Sequence, residues 1–391
     1  MNDHPGETML PDHAEVVIVG GGVMGASAAF HLARRGVNVV LLERESFFGQ
    51  GSTGRCAGGI RHQFSTDINI ELSIKSIAML QRFQADTGQA IDLKLNGYLF
   101  LLSTPEQMER FRQNVARQHV HGIFSEIWST DQIAARVPLL NLDGIIGGTY
   151  YSGDGIADPS GVVNGYIAAA RASGVVALNN VEVTGITVNG GAIAAVQTSQ
   201  GTIRTPTLVN AAGPWSAQIA GLAGIDLPVR PERQQILVTT PMPEIPADFP
   251  FIIDFQQRLY FHREGAGLLT GMSMIGQPAT FAQNVDPDWT DQHMDCAMAR
   301  LPVLETAGRL TEWAGLYEVT PDAHPIIGPL AEVRGFYVVS GFSGHGFMHG
   351  PIAGLLVSEQ IVDGAAHTLD ISSLRTERFV QGQLIEEFNV V

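Results

Sequence analysis

Cysteine is nearly absent: Cys56 and Cys296 are the only two in 391 residues. A disulfide framework is excluded, at most one bond can form, and the reduced thiols of a cytoplasmic protein are the expectation. Basic residues are also scarce, 23 against 39 acidic, for a net charge of −16. Without a basic field to displace counterions, neither nucleic acid nor an anionic membrane surface is an expected partner. No Cys/His cluster has metal-ligand spacing, so no metal is expected. A membrane span is not expected either. The apolar stretch from Val16 to Ala33 is interrupted by glycines and a Met24-Gly-Ala-Ser27 break, and it runs into Arg34 and Arg35. The first thirteen residues are polar, with acidic members and no basic start, unlike a secretory signal.

What is present is 45% hydrophobic and only 16% charged, the balance of a packed globular enzyme. The length exceeds one ordinary compact core, so two domains or one large α/β unit are expected.

The chain opens on a βαβ pattern. Glu15-Val-Val-Ile-Val19 is a β-branched apolar run suited to a strand buried on both faces. Gly20, Gly22 and Gly25 follow as G-x-G-x-x-G, with Val23 and Met24 inside the motif. A helix is predicted over 23–35, ended by Gly36, and a second strand over 37–42 runs to Glu43 and Arg44. Gly20 permits the tight turn, Gly22 admits a pyrophosphate to the backbone, and Gly25 lets helix and strand pack closely. The helix N-terminus offers N–H groups and partial positive charge to the phosphates. Glu43, 18 residues beyond Gly25, can take the adenosine ribose hydroxyls and would repel a 2′-phosphate. The unit alone fits FAD or NAD.

The following segment, Gly49-Gln-Gly-Ser-Thr-Gly-Arg-Cys-Ala-Gly-Gly59, is a Gly/Ser/Thr loop where an NAD half would need a third strand. Such a loop can lay backbone donors along a diphosphate and a flavin edge. Short runs over 174–178, 181–186, 194–198 and 202–205, punctuated by Asn and Gly, read as a β-meander, and 207–213 returns to a buried strand. Near the end, a strand over 335–340 leads into Gly341-Phe-Ser-Gly-His-Gly-Phe-Met-His-Gly350. A helix is predicted over 351–361 with Pro351 in its first turn, a second anion-stabilising helix N-terminus.

Four blocks carry a family resemblance: Val19-Gly-Gly-Gly-Val-Met-Gly25, Gly51-Ser-Thr-Gly-Arg-Cys-Ala-Gly-Gly-Ile-Arg61, Val209-Asn-Ala-Ala-Gly-Pro-Trp-Ser216 and Gly341-Phe-Ser-Gly-His-Gly-Phe347. The chain resembles the glycine, sarcosine and D-amino-acid oxidase flavoproteins, nearest to sarcosine oxidase β-subunits and proline dehydrogenase subunits. The resemblance implies an α/β fold of two domains. A Rossmann-like FAD-binding domain would comprise 14–90, 155–230 and 312–391. A substrate domain with an antiparallel sheet would comprise 91–154 and 231–311. It implies FAD held by Gly20, Gly22, Val23, Met24, Gly25, Glu43 and Arg44 in the first unit. Ser52, Thr53, Arg55, Ala57, Gly58 and Gly59 would follow from the loop, Val183 from the adenine side, and Ala212 and Gly213 from the third block. Gly344, His345, Gly346, Phe347 and Met348 would lie beside the flavin.

By the same resemblance, Arg61 binds the carboxylate of a small amino-acid substrate, and Tyr317 and His345 shape the cavity. Tyr260 and His262 are weaker cavity candidates. Relatives that link flavin to cysteine do so at the position of Gly315, so FAD is expected to be non-covalent. Relatives that react with oxygen carry a lysine where this chain has Leu269 or Met348. A dehydrogenase with another, unidentified electron acceptor is therefore expected, with a partner subunit or homo-oligomer as further expectations. A 2-hydroxy-acid dehydrogenase and an assembly-dependent subunit remain open.

Overall fold

The computed structural model describes residues 9–274 and 276–390. Two sheets organise them. In the first, six strands lie in the order Ile326–Pro329, Phe336–Ser340, Thr207–Asn210, Val16–Val19, Val39–Leu42 and Val176–Leu178. All pair in parallel except Ile326–Pro329, which is antiparallel to its neighbour.

Successive residues of a strand face opposite sides, and this sheet is buried on both. Val16, Ile18, Val39 and Leu41 pack against the helices Val23–Ala33, Asp67–Gln81, Pro159–Ala172 and Gly346–Asp363. Val17, Val19, Val40 and Leu42 pack against a three-stranded antiparallel sheet of Val183–Asn189, Ala192–Thr198 and Gly201–Arg204. The expected meander is thus three strands, and it covers the nucleotide-binding sheet. The run over 174–178 is not part of it. A helix separates Val176–Leu178 from the preceding strands, and such a crossover returns the chain parallel, with Val176 opposite Val40.

The second sheet has eight strands in the order Arg309–Val319, Arg230–Thr239, Gly267–Met272, Leu259–Glu264, Phe251–Asp254, Tyr98–Leu102, Gly147–Tyr151 and Glu126–Trp128. It is antiparallel apart from the pairing of Phe251–Asp254 with Tyr98–Leu102. One face buries Leu99, Leu101, Ile252 and Phe261 with residues of the helices Thr130–Arg136 and Pro287–Arg300. Tyr98, Phe100, Phe251, Tyr260 and Leu269 occupy the other face. The strand Arg309–Val319 belongs wholly to this sheet, so the boundary expected at 312 lies inside a strand. Long cross-strand pairing with Arg230–Thr239 carries it on toward the nucleotide-binding sheet.

A further difference concerns Pro351, which sits inside the helix Gly346–Asp363 and not in its first turn. Glycine spacing suggested an extended turn, but burial of Phe347, Met348 and His349 draws that stretch into the helix. A Cβ at Gly354 would come within 2.3 Å of Ser27 Oγ, so glycine there lets this helix lie directly on Val23–Ala33. Proline cannot donate to the carbonyl one turn back. Its own carbonyl accepts a bond of 2.9 Å from Ser27 Oγ, which ties the two helices together. Among the described residues no helix is long and apolar enough to cross a membrane.

Candidate active site

A cavity of about 600 Å³ runs between the two sheets, within the usual range for a ligand site. At one end the backbone turns sharply after Val19. Gly20 has φ of +106°, and a Cβ at Gly25 would stand 1.9 Å from the Gly20 carbonyl oxygen. Gly25 is therefore a packing residue and does not reach the cavity wall. Gly20, Gly22, Val23 and Met24 do. A Cβ at Gly22 would have only Thr53 Oγ1 nearby, at 3.2 Å, leaving open space against the backbone. The helix beyond it carries no acid in its first turn and no side-chain cap from Gly22. Such an end attracts anionic phosphate.

Glu43 also lines this end. Its carboxylate accepts from Gly21 N at 2.7 Å and Glu45 N at 2.9 Å, and burial pushes its proton affinity up despite those bonds. The guanidinium of Arg44 lies 4.0 Å over the Trp215 ring, with Val183 on the same cavity wall. Trp215 escaped the sequence reading of the third block's contacts, although it stands within that block.

The 51–59 loop forms the middle of the wall, and its side chains are largely engaged with protein. Thr53 Oγ1 accepts from Val23 N at 3.2 Å, Ser52 Oγ donates to Leu316 O at 2.6 Å, and Arg55 donates to Ala314 O at 2.8 Å. The first fastens the loop to the start of the helix Val23–Ala33, and the other two fasten it to the strand Arg309–Val319. Cys56, Ala57, Gly58 and Gly59 border the cavity, where burial pushes the Cys56 thiol up to about 12.

Arg61, Tyr317 and His345, which the resemblance assigns to the substrate, line the opposite end of the cavity, with Met348 beside them. Arg61 is only 5% exposed. One guanidinium nitrogen donates to Gln63 O at 2.5 Å, another to Asn389 O, and the group lies 3.8 Å over the Phe64 ring. Among the described residues no carboxylate pairs with it. Burial accordingly weakens its hold on its proton. Guanidinium still stays charged at neutral pH.

Tyr317 has a hydrogen bond with Ser273, and burial raises its hydroxyl to about 12. His345 precedes the helix Gly346–Asp363, is buried, and finds no partner for either ring nitrogen among the described residues. Burial and the nearby His349 and Arg61 keep it neutral. His349 bonds Ser73 Oγ through Nε2 at 2.9 Å, and burial lowers it to about 3.

Tyr260 lines the cavity, with Tyr98 and Phe251 stacked at 4.1 Å beside it. His262 does not. Its ring stacks on Phe251 at 5.0 Å, one residue pair further along the strand. Leu269 lies within the apolar cluster behind these rings. Glu318 was not foreseen. It borders the cavity, accepts from Ser340 Oγ at 2.9 Å and from Phe342 N at 3.4 Å, and burial raises it to about 7. Its only signal was an acid beside Tyr317 in the buried, C-terminal half of the strand Arg309–Val319. No group of side chains suited to a metal occurs among the described residues.

An elongated cavity with an anion-binding turn at one end and a buried, carboxylate-free arginine at the other suits a dinucleotide cofactor with an acidic substrate. The chain belongs to the DAO family of FAD dependent oxidoreductases, whose model matches residues 15–360. It is 32% identical to the mitochondrial dimethylglycine dehydrogenase of Rattus norvegicus, over 90% of this chain and 43% of that protein. It is also 32% identical to the mitochondrial sarcosine dehydrogenase of Mus musculus, over 95% of this chain and 42% of that one. The chain thus spans less than half the length of these two relatives. The L-proline dehydrogenase of P. horikoshii superposes with a TM-score of 0.90 at 31% identity, covering 96% of this chain and all of that one. FAD is the cofactor, and the glycine turn, the open backbone at Gly22 and the four converging blocks fit it.

Proposed function

We propose that this chain oxidises the C–N bond of a small amino acid, N-substituted or cyclic, as a dehydrogenase that passes electrons to an acceptor other than oxygen. The observation that carries the reading is Arg61: a guanidinium buried on the cavity wall that has no carboxylate partner among the described residues. A buried charge left unpaired is costly, and an anionic ligand offsets that cost. The planar fork of arginine suits a carboxylate.

FAD, when bound, would supply a two-electron acceptor for hydride from the carbon of the oxidised C–N bond, and water would hydrolyse the resulting imine. The chain's residues set the conditions. Arg61 orients the substrate by its carboxylate. Tyr317 keeps its proton on Oη at neutral pH and can hold the substrate's polar end. Tyr98, Tyr260 and Phe251 exclude water from the cavity wall. Neutral His345 adds no positive charge to oppose departure of hydride. No general base stands out, and none is needed when the amine binds unprotonated.

The lining residues include no lysine, and Leu269 and Met348 are apolar, which supports a dehydrogenase since no ammonium is there to stabilise reduced oxygen. The raised Cys56 thiol supports non-covalent FAD, because a neutral thiol is a poor nucleophile.

Anaerobic mixing with sarcosine, dimethylglycine and L-proline should bleach the flavin, with slow recovery in air. Bleaching by 2-hydroxy acids alone would overturn the amine reading, and rapid recovery in air would overturn the dehydrogenase reading.

A further inference from the structure

The two hydrogen bonds on Arg61 come from very different places. Gln63 is two residues away, whereas Asn389 lies 328 residues along the chain. Asn389 belongs to an extended stretch, 385–390, in which Glu387 and Asn389 are buried while Glu386 and Phe388 are exposed. Its neighbour Val390 forms part of the cavity wall.

This stretch is fastened by an unusual latch. The carboxylate of Glu387 accepts from Ser65 N at 2.9 Å, Ser65 Oγ at 2.5 Å, Thr66 Oγ1 at 2.9 Å, Asn69 Nδ2 at 3.0 Å and Asn389 N at 3.0 Å. Asn389 adds bonds from its amide to Gln63 O at 3.2 Å and from Asn114 Nδ2 to its Oδ1 at 3.1 Å. Ser65, Thr66 and Asn69 flank the start of the helix Asp67–Gln81, and Asn114 lies on the helix Pro105–Val120. The strap is therefore held by elements from both sides of the cavity.

What it presents to Arg61 is a carbonyl and not a carboxylate. A carbonyl dipole orients the guanidinium without cancelling its charge, so the remaining N–H groups stay available to an anion. A carboxylate at that place would compete with substrate. The Glu387 charge, which does draw on Arg61 electrostatically, is satisfied by its own ring of donors.

We infer that the strap 385–390 is a positioning and specificity element of the substrate site: Asn389 fixes the presentation of Arg61, and Val390 bounds the space beside it, so that compact carboxylates are selected. The inference rests on Arg61 being the carboxylate anchor. It extends the site to residues beyond the span matched by the family model, which ends at 360.

The test uses the FAD-loaded full chain, with sarcosine and L-proline as substrates and acetate as a non-reacting probe read by its perturbation of the flavin spectrum. Glu387→Gln, which keeps shape but loses the charge that gathers the latch, and Asn389→Ala should each raise KM and weaken acetate binding about tenfold. Their kcat should stay within about threefold. Val390→Gly leaves the latch intact and should improve kcat/KM for longer N-alkyl glycines relative to sarcosine. Arg61→Lys separates the two claims. If Arg61→Lys leaves KM and acetate binding unchanged, the anchor reading fails. If Arg61→Lys weakens both while the three strap variants, with native flavin spectra, alter neither KM nor substrate order, the strap inference alone fails.

Discussion

The two ends of the cavity are built in opposite ways. The nucleotide end is built around one contiguous stretch: strand, glycine turn, helix and second strand occupy residues 16–42, Glu43 closes the unit, and Val183 and Trp215 only complete its wall. The substrate end is assembled from pieces scattered from Arg61 to Val390. A local unit fails as a unit, taking cofactor and packing with it. A convergent site can lose one function and leave the rest of the molecule standing.

Gly25→Ala should give the largest effect. Its Cβ would lie 1.9 Å from the Gly20 carbonyl oxygen, a backbone atom that cannot swing aside as a side chain would. The helix must then move off its strand, and the turn loses its shape. Purified protein should be insoluble or largely free of FAD, measured as flavin absorbance per chain. Normal FAD content in soluble Gly25→Ala would break the idea that this turn tolerates no displacement.

Arg61→Gln should hurt turnover strongly and leave the cradle alone. Loss of a charge-assisted carboxylate contact in a desolvated site costs about 3–5 kcal/mol, or roughly two to four decades in kcat/KM. FAD content and flavin spectrum should be unchanged, because the nearest glycine turn uses none of its bonds. If FAD is lost together with activity, the two ends are not separable and the comparison is wrong.

The same contrast explains what could be read in advance. The βαβ unit was legible because its signals are local: β-branched runs, glycines at fixed offsets and an acid closing the second strand. All of its assigned residues but Gly25 reached the cavity wall. Arg61, Tyr317 and His345 could be brought together only through the family resemblance, since no periodicity links positions so far apart. The meander was misjudged at 174–178 because a short apolar run looks alike in parallel and antiparallel sheets. Partner choice was decided by the helix Pro159–Ala172 in front of it. Pro351 was misplaced because glycines were weighed for turn geometry, whereas they serve close helix packing. The strap left no sign, since Glu387 and Asn389 look like ordinary polar residues until their donors are seen.

Glu318 sharpens the comparison with the smallest effect, because it stands where the two ends meet. A Cβ at Gly213 would lie 3.4 Å from its Oε2 and one at Gly346 3.5 Å from its Oε1, so it bridges the third and fourth glycine blocks. Burial raises its carboxyl from 4.5 to about 7, outweighing the bonds from Ser340 and Phe342. The folded chain therefore binds this proton more tightly than the unfolded chain. Its contribution to stability is complete below the unfolded value of 4.5 and declines as pH rises through about 7. Glu318→Gln stays neutral throughout and should lose none of that stability. The difference in unfolding free energy between the two proteins should shift in favour of the variant by about 2–3 kcal/mol across the window, judged from denaturant midpoints at matched FAD occupancy. Parallel profiles would mean that the carboxyl is already charged in the folded protein. The junction between cradle and substrate site would then carry a buried negative charge next to the fourth glycine block throughout that window, in place of a carboxyl that gives up its proton only near pH 7.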